Sequence, residues 1–165
     1  RSVSRGLGDV YKRQESGTPE KQLILELTES CKVSDPNGLR DDFEYFKNMG
    51  INMALDDFGT EYSSIALLRK LKPQWIKIDH TFVRSIQDDE MDQAILEYIM
   101  NLSKQTRIKV CVEGVENKEI LSVVQTYKPE LLQGYYYSRP CPAEEFSKKY
   151  FNGKDKTGSY GCLKK

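Results

Sequence analysis

The sequence predicts an α/β fold built on a parallel sheet, on two observations. Short apolar, β-branched runs alternate with longer stretches whose apolar residues recur at helical spacing, and a repeated strand–helix–strand order requires parallel pairing. Nearly every one of the short runs also carries an acid, amide or lysine near its C-terminal end. The first strand is read at Leu23–Thr28 (LILELT). A helix follows from Asp35-Pro36, with Leu39, Phe43, Phe46 and Met49 on one stripe. The second strand is Asn52–Asp57 (NMALDD), followed by a stripe of Ile65, Leu68 and Leu71. The third strand is Trp75–Asp79 (WIKID), followed by Met91, Ile95, Tyr98, Ile99 and Leu102. The fourth is Lys109–Glu113 (KVCVE), followed by Ile120, Leu121 and Val124, and the fifth is Leu131–Tyr136 (LLQGYY). Five such strands fit either an open doubly wound sheet or part of a β/α barrel.

The length of 165 residues suits one domain, and 38% hydrophobic with 30% charged residues describes a globular chain rather than a disordered one. The 25 basic and 25 acidic residues cancel, so charge gives no reason to expect bulk nucleic-acid or membrane binding. No apolar run approaches the ~20 residues that span a bilayer, and no signal peptide is visible. Cys31, Cys111, Cys141 and Cys162 are far apart, which reads as reduced thiols of a cytoplasmic protein or of the cytoplasmic part of a larger, membrane-attached one. With His80 as the sole histidine, zinc ligation is not indicated. Residues 1–14 (RSVSRGLGDVYKRQ) have no apolar period and read as an unrelated or disordered N-terminal segment; residues 151–165 read as a polar, lysine-rich C-terminal tail. The domain is therefore read over residues 15–150.

In parallel β/α proteins all strand C-termini lie at one end, where chemistry collects. Glu26, Asp56, Asp57, Lys77, Asp79, Glu113 and Gln133 would meet there. Any one of these acids could be a solvated strand end or a helix cap. As a set they would repel one another in a dry pocket, and one lysine does not offset them. Divalent cations do, and all-oxygen donors select hard ions such as Mg²⁺ or Mn²⁺. The consecutive pair Asp56-Asp57 is suited to bridging two ions ~3.5–4 Å apart, an arrangement used in phosphoryl chemistry.

The residues also resemble a known family. Glu26-Leu27-Thr28-Glu29 is similar to the ExTE strand end of EAL domains. Asp56-Asp57-Phe58-Gly59-Thr60 with Tyr62-Ser63-Ser64 resembles their DDFGTGYSS loop, and Lys77-Ile78-Asp79 their KID strand. Glu113-Gly114-Val115-Glu116 resembles EGVE, and Gln133-Gly134-Tyr135 with Ser138-Arg139-Pro140 resembles the closing QGYxxSxP segment. The resemblance runs from about Gln22 to Tyr150. It implies a modified TIM-like (β/α) barrel of bacterial signal transduction that hydrolyses cyclic di-GMP to linear pGpG with two Mg²⁺ or Mn²⁺ ions, and it allows a homodimer through the barrel in a longer protein. Carried over by motif, Glu26 and Asp56 would bind the first metal, Asp56 would bridge, and Asp57 and Glu113 would serve the second. Lys77 would orient or help deprotonate the attacking water, and Glu113 would be the general base. Asp79 would support Lys77, Glu29 would steady the DDFG loop, Glu116 would support the site from behind, and Gln133 would hold a water near the substrate phosphate.

The sequence departs from the family in two places. The opening Glu-Ala-Leu strand, with its metal-binding glutamate and nearby arginine, has no counterpart, nor has the next strand with its metal-binding asparagine. The barrel is thus expected to be incomplete, with its last five strands present. Glu61 also replaces the second glycine of DDFGTG, at a cost of roughly 1 kcal/mol if that position has positive φ. The alternative to an enzyme is an EAL-like module that binds cyclic di-GMP or a protein without hydrolysis. An open barrel edge exposes unpaired backbone and apolar side chains. The chain alone is therefore expected to be poorly stable and to show little or no phosphodiesterase activity. Size-exclusion chromatography with a turnover assay checks this, and a monomer turning over cyclic di-GMP at an ordinary enzymatic rate contradicts it.

Overall fold

The computed structural model describes residues 19–28, 36–60 and 64–151. The expectations for residues 1–14, Glu29, Cys31, Glu61, Tyr62, Ser63, Cys162 and the tail from 152 onward lie outside these residues. The elements in order are β1 (Ile24–Thr28), α1 (Pro36–Asn48), β2 (Asn52–Phe58), α2 (Ser64–Leu71), β3 (Trp75–Ile78), α3 (Thr81–Arg84), α4 (Glu90–Thr106), β4 (Lys109–Val112), α5 (Lys118–Val124), β5 (Leu131–Leu132) and α6 (Ala143–Phe151). Single 3₁₀ turns lie at Glu20–Gln22 and Gln125–Tyr127.

All four strand pairings are parallel, and the strands neighbour one another in chain order, β1-β2-β3-β4-β5. A doubly wound sheet reverses direction at a switch point, whereas a β/α barrel steps the same way at every crossover. The observed order is that of a barrel, so the sheet is a partial TIM-like barrel.

Strand alternation separates two faces. Met53, Leu55, Ile76, Ile78, Val110 and Val112 are buried in one apolar cluster with helix residues Phe43, Leu68, Leu96, Ile99, Met100, Ile120 and Val124. The opposite parity carries Glu26, Ala54, Asp56, Lys77, Cys111 and Glu113, with Glu26 in register with Ala54 and Lys77 with Cys111. The starts of the strands are tied by side chains. Gln74 Oε1 accepts the Met53 N–H at 2.8 Å, and Glu130 Oε2 accepts the Val110 N–H at 2.7 Å. Helix starts are satisfied in the ordinary way: Asp89 accepts from the Met91 and Asp92 amides, and Asn117 from the Ile120 amide.

The structure corrects the sequence reading in three places. The stripe of α4 is turned by about one position. Leu96, Ile99, Met100 and Ser103 are buried, while Met91 and Tyr98 are 67% and 58% exposed. Ile65 of α2 is likewise exposed. The fifth strand ends at Leu132, because the chain then turns: the Tyr137 N–H reaches the Gly134 carbonyl at 3.1 Å. The turn is stitched to the chain after β4, with the Val115 N–H on the Gln133 carbonyl (3.1 Å) and the Tyr136 N–H on the Val115 carbonyl (2.9 Å).

This stitching brings two backbones together at Gly134. A Cβ there would lie 2.1 Å from the Val115 carbonyl oxygen and 2.4 Å from its nitrogen. At Gly50 the nearest atom would be 3.9 Å away, and only the positive φ of 82° disfavours a side chain. Gly134→Ala is therefore expected to lower unfolding free energy by about 2–3 kcal/mol, against about 1 kcal/mol for Gly50→Ala. Urea denaturation of both variants checks the order.

Candidate active site

A regular strand points consecutive side chains to opposite faces, so Asp56 and Asp57 cannot both face one site without a local irregularity. The structure supplies it. Leu55 pairs with Ile76 and Phe58 with Ile78, so three steps along β2 match two along β3. Within this bulge Asp57 has φ 54°, the left-handed region that aspartate tolerates better than most residues. Its N–H donates to Asp56 Oδ1 at 3.1 Å, and its carbonyl accepts from the Thr60 N–H and Oγ1 at 3.2 and 2.9 Å. Gly59 follows at φ 99°, and a Cβ there would lie 2.8 Å from the Phe82 ring. One carboxylate oxygen from each of Asp56, Asp57 and Glu113 falls within 4.8 Å of the others.

Lys77 rises from β3 into this group. Its Nζ lies 3.0 Å from Glu26 Oε2, 2.8 Å from Asp56 Oδ1 and 2.9 Å from Glu113 Oε1. The side chains of Lys77, Asp56 and Glu113 are 11%, 16% and 17% exposed, while Glu26 at the sheet edge is 44% exposed. Burial alone would push the ammonium pKa down, but the carboxylates of Asp56, Glu113 and Glu26 outweigh it and hold the pKa well above the ordinary lysine value. Burial, with the charges of Asp56 and Asp79, raises the Asp57 carboxyl. Burial and the Glu113 carboxylate push the Cys111 thiol up to about 11, so this buried cysteine stays protonated.

The structure brings Glu26, Asp56, Asp57, Lys77 and Glu113 together, with four strands contributing. Asp79 takes another course. The regular part of β3 stops at Ile78, and Asp79 accepts the Thr81 N–H at 2.9 Å and meets His80 Nδ1 at 2.9 Å. Burial would raise its pKa, but these bonds prevail and lower it. Among the described residues it makes no ion pair with Lys77. Gln133 reaches the same end through its backbone bonds to Val112 and Val115, but its side chain is exposed. Glu116 is exposed beyond Val115. Alternation alone misses the Asp56–Asp57 bulge. The signal available was the pair itself, since two adjacent aspartates before Phe-Gly suit a left-handed turn.

The donor set fits a divalent cation. It is all carboxylate oxygen, and Glu113 Oε1 is buried with only the Lys77 ammonium beside it and no donor in hydrogen-bonding orientation among the described residues.

Comparison with known proteins agrees with this geometry. The EAL domain family model matches residues 8–140. Cyclic di-GMP phosphodiesterase NbdA of Pseudomonas aeruginosa is 34% identical over 140 residues, which are 83% of this chain and 18% of that protein. The probable cyclic di-GMP phosphodiesterase PdeD of Escherichia coli is 35% identical over 136 residues, 81% of this chain and 25% of that protein. The chain thus spans a quarter or less of these relatives. Among solved structures, the EAL domain of Mycobacterium smegmatis DcpA superposes with a TM-score of 0.79 at 29% identity, covering 87% of this chain and 64% of that one. The PaMucR phosphodiesterase in complex with c-di-GMP gives 0.73 at 33% identity, covering 81% and 54%. The manganese/cy-diGMP complex of Klebsiella pneumoniae BlrP1 gives 0.73 at 32%, covering 78% and 33%. With its acids gathered on successive strand ends and the family model matching most of its length, the chain belongs to the EAL domain family.

Proposed function

We propose that this chain is part of a cyclic di-GMP phosphodiesterase that cleaves one phosphodiester of the ring to give linear pGpG, using two Mg²⁺ or Mn²⁺ ions. The observation that carries the reading is the Lys77 ammonium set among Glu26, Asp56 and Glu113 beside Asp57, at the end of a parallel sheet where β/α enzymes work. Asp56, Asp57 and Glu113 would hold one ion, and Glu26 with Asp56 would contribute to the other. When bound, such ions supply Lewis acidity toward phosphoryl oxygen and water.

The chain's own groups divide the remaining work. Lys77, held as an ammonium by its three carboxylates, is not a proton acceptor at neutral pH. Of the two roles implied by the resemblance, orienting water and countering the negative charge that gathers on phosphate is the one its environment favours. Glu113 has a buried oxygen with no oriented donor, which suits it to take up a water proton. Asp79 is placed to brace the chain after β3 through Thr81 rather than to act on Lys77.

Incubation of a longer protein in which this chain is part of a closed barrel with cyclic di-GMP and Mn²⁺, with chromatographic detection of pGpG, tests the reading. Ligand binding without any product from that closed barrel would favour the binding module instead. A second test addresses the charge balance. Removing Lys77 strands three carboxylates, so Lys77→Met is expected to cost about 2–3 kcal/mol of stability without metal. Mn²⁺ would restore part of it, so the Mn²⁺-induced rise in Tm is expected to be larger in Lys77→Met than in the wild type. Asp57→Asn is expected to diminish that rise. Thermal melts with EDTA and with Mn²⁺ check both outcomes.

A further inference from the structure

The outer, helical layer carries a group of charges that has no part in the carboxylate site. Where α1 meets α2, a cavity of about 300 Å³ is lined by Arg40, Glu44, Arg69, Lys70 and Lys72, every one a charged residue. Four are cations and one is an acid, in a chain whose 25 basic and 25 acidic residues cancel. The one acid is already engaged, since Glu44 Oε1 lies 3.7 Å from Lys47 Nζ. Among the described residues Arg40, Arg69 and Lys72 enter no ion pair. Lys70 has a contact of its own and adds to the positive field.

Helix chemistry accounts for only part of this grouping. Arg69 and Lys70 stand in the last turn of α2, where cations complement the helix dipole. Arg40 comes from the other helix, in the second turn of α1, where that reason does not apply. Lys72 follows the end of α2 at φ 47°, with its N–H on the Leu68 carbonyl at 3.0 Å. This left-handed position after a helix usually takes glycine, and here it carries a charge into the cavity wall instead. Like charges gathered from separate elements repel one another, and an anion placed among them relieves that repulsion.

We propose that this cavity binds a di- or triphosphate group. A guanidinium fork meets phosphate oxygens two at a time, and a phosphate chain concentrates several negative charges on few atoms, as a wall with two arginines and two lysines requires. The volume is that of a small-molecule site. A protein partner is disfavoured, because no apolar or aromatic anchor point lines the cavity. The same lack of an aromatic face leaves nothing to hold a nucleobase, so the phosphate chain alone is recognised. Lys72 lies three residues before β3 begins at Trp75, whereas Asp56, Asp57 and Glu113 stand at the strand ends. Binding in the cavity is therefore independent of the phosphodiesterase reading.

The test is a calorimetric titration of tripolyphosphate into a longer protein in which this chain is part of a closed barrel. EDTA is present, so that no divalent ion links phosphate to the carboxylates. The expected result is binding that Arg40→Gln and Arg69→Gln each weaken about tenfold. Lys104→Gln, an exposed lysine on α4, is expected to leave it unchanged. Glu44→Gln removes the only acid of the wall and is expected to tighten binding about threefold. Adenosine triphosphate is expected to bind like tripolyphosphate, and a tenfold preference for the nucleotide would overturn recognition by the phosphate chain alone. Absence of binding, equal affinity in the arginine variants, or displacement by oligo-aspartate at matched charge would each overturn the site. Should an arginine variant not fold, Glu44→Gln still decides, because misfolding does not produce a gain in affinity.

Discussion

The ammonium of Lys77 sits within 3.0 Å of three carboxylates, and the rim of the sheet is arranged around it. Carboxylates this close repel by several kcal/mol at the effective dielectric of a partly buried site, and the same law returns that energy when a cation stands between them. A lysine is suited to the task because its long stem crosses the apolar layer and delivers a compact charge. Beneath it the lumen face is lined by the small residues Ala54 and Cys111, which leave room for that stem. The helix-facing side carries the opposite character, with Ile76 and Ile78 fully buried on either side of Lys77 in sequence. One strand of four residues therefore serves both the core and the site, and the division follows from alternation alone.

The lysine and a metal ion are competitors for the same oxygens. Asp56 and Glu113 belong both to the trio that could hold a cation and to the trio that holds Lys77. An arriving ion would take over part of the neutralisation and leave the ammonium freer. Lys77 thus acts as a stand-in for such an ion among these acids.

The first four strands were legible because their β-branched runs are clean and bounded by charge or Gly/Pro. Convergence of Glu26, Asp56, Asp57, Lys77 and Glu113 was legible because parallel strands share one C-terminal end. What escaped depended on departures from regularity. The resemblance implies that Asp79 supports Lys77, whereas the contacts observed for it are to Thr81 and His80. The bond between His80 and Asp79 needs coordinates to see. The fifth strand was overread because Tyr135 and Tyr136 look like strand residues, while the chain turns at Gly134, with the Tyr137 N–H on the Gly134 carbonyl. The short α3 lacks the length that periodicity detects.

Between Leu55 and Phe58 the chain runs out of step with its neighbour, two residues (Asp56 and Asp57) against one (Lys77). That miscount acts as a phase lock. Losing one residue there would restore ordinary pairing and yet leave a single aspartate where two are wanted, and gaining one would carry Phe58 off the helical layer and onto the acidic side. Length changes are therefore better placed in the connecting loops than between Leu55 and Phe58.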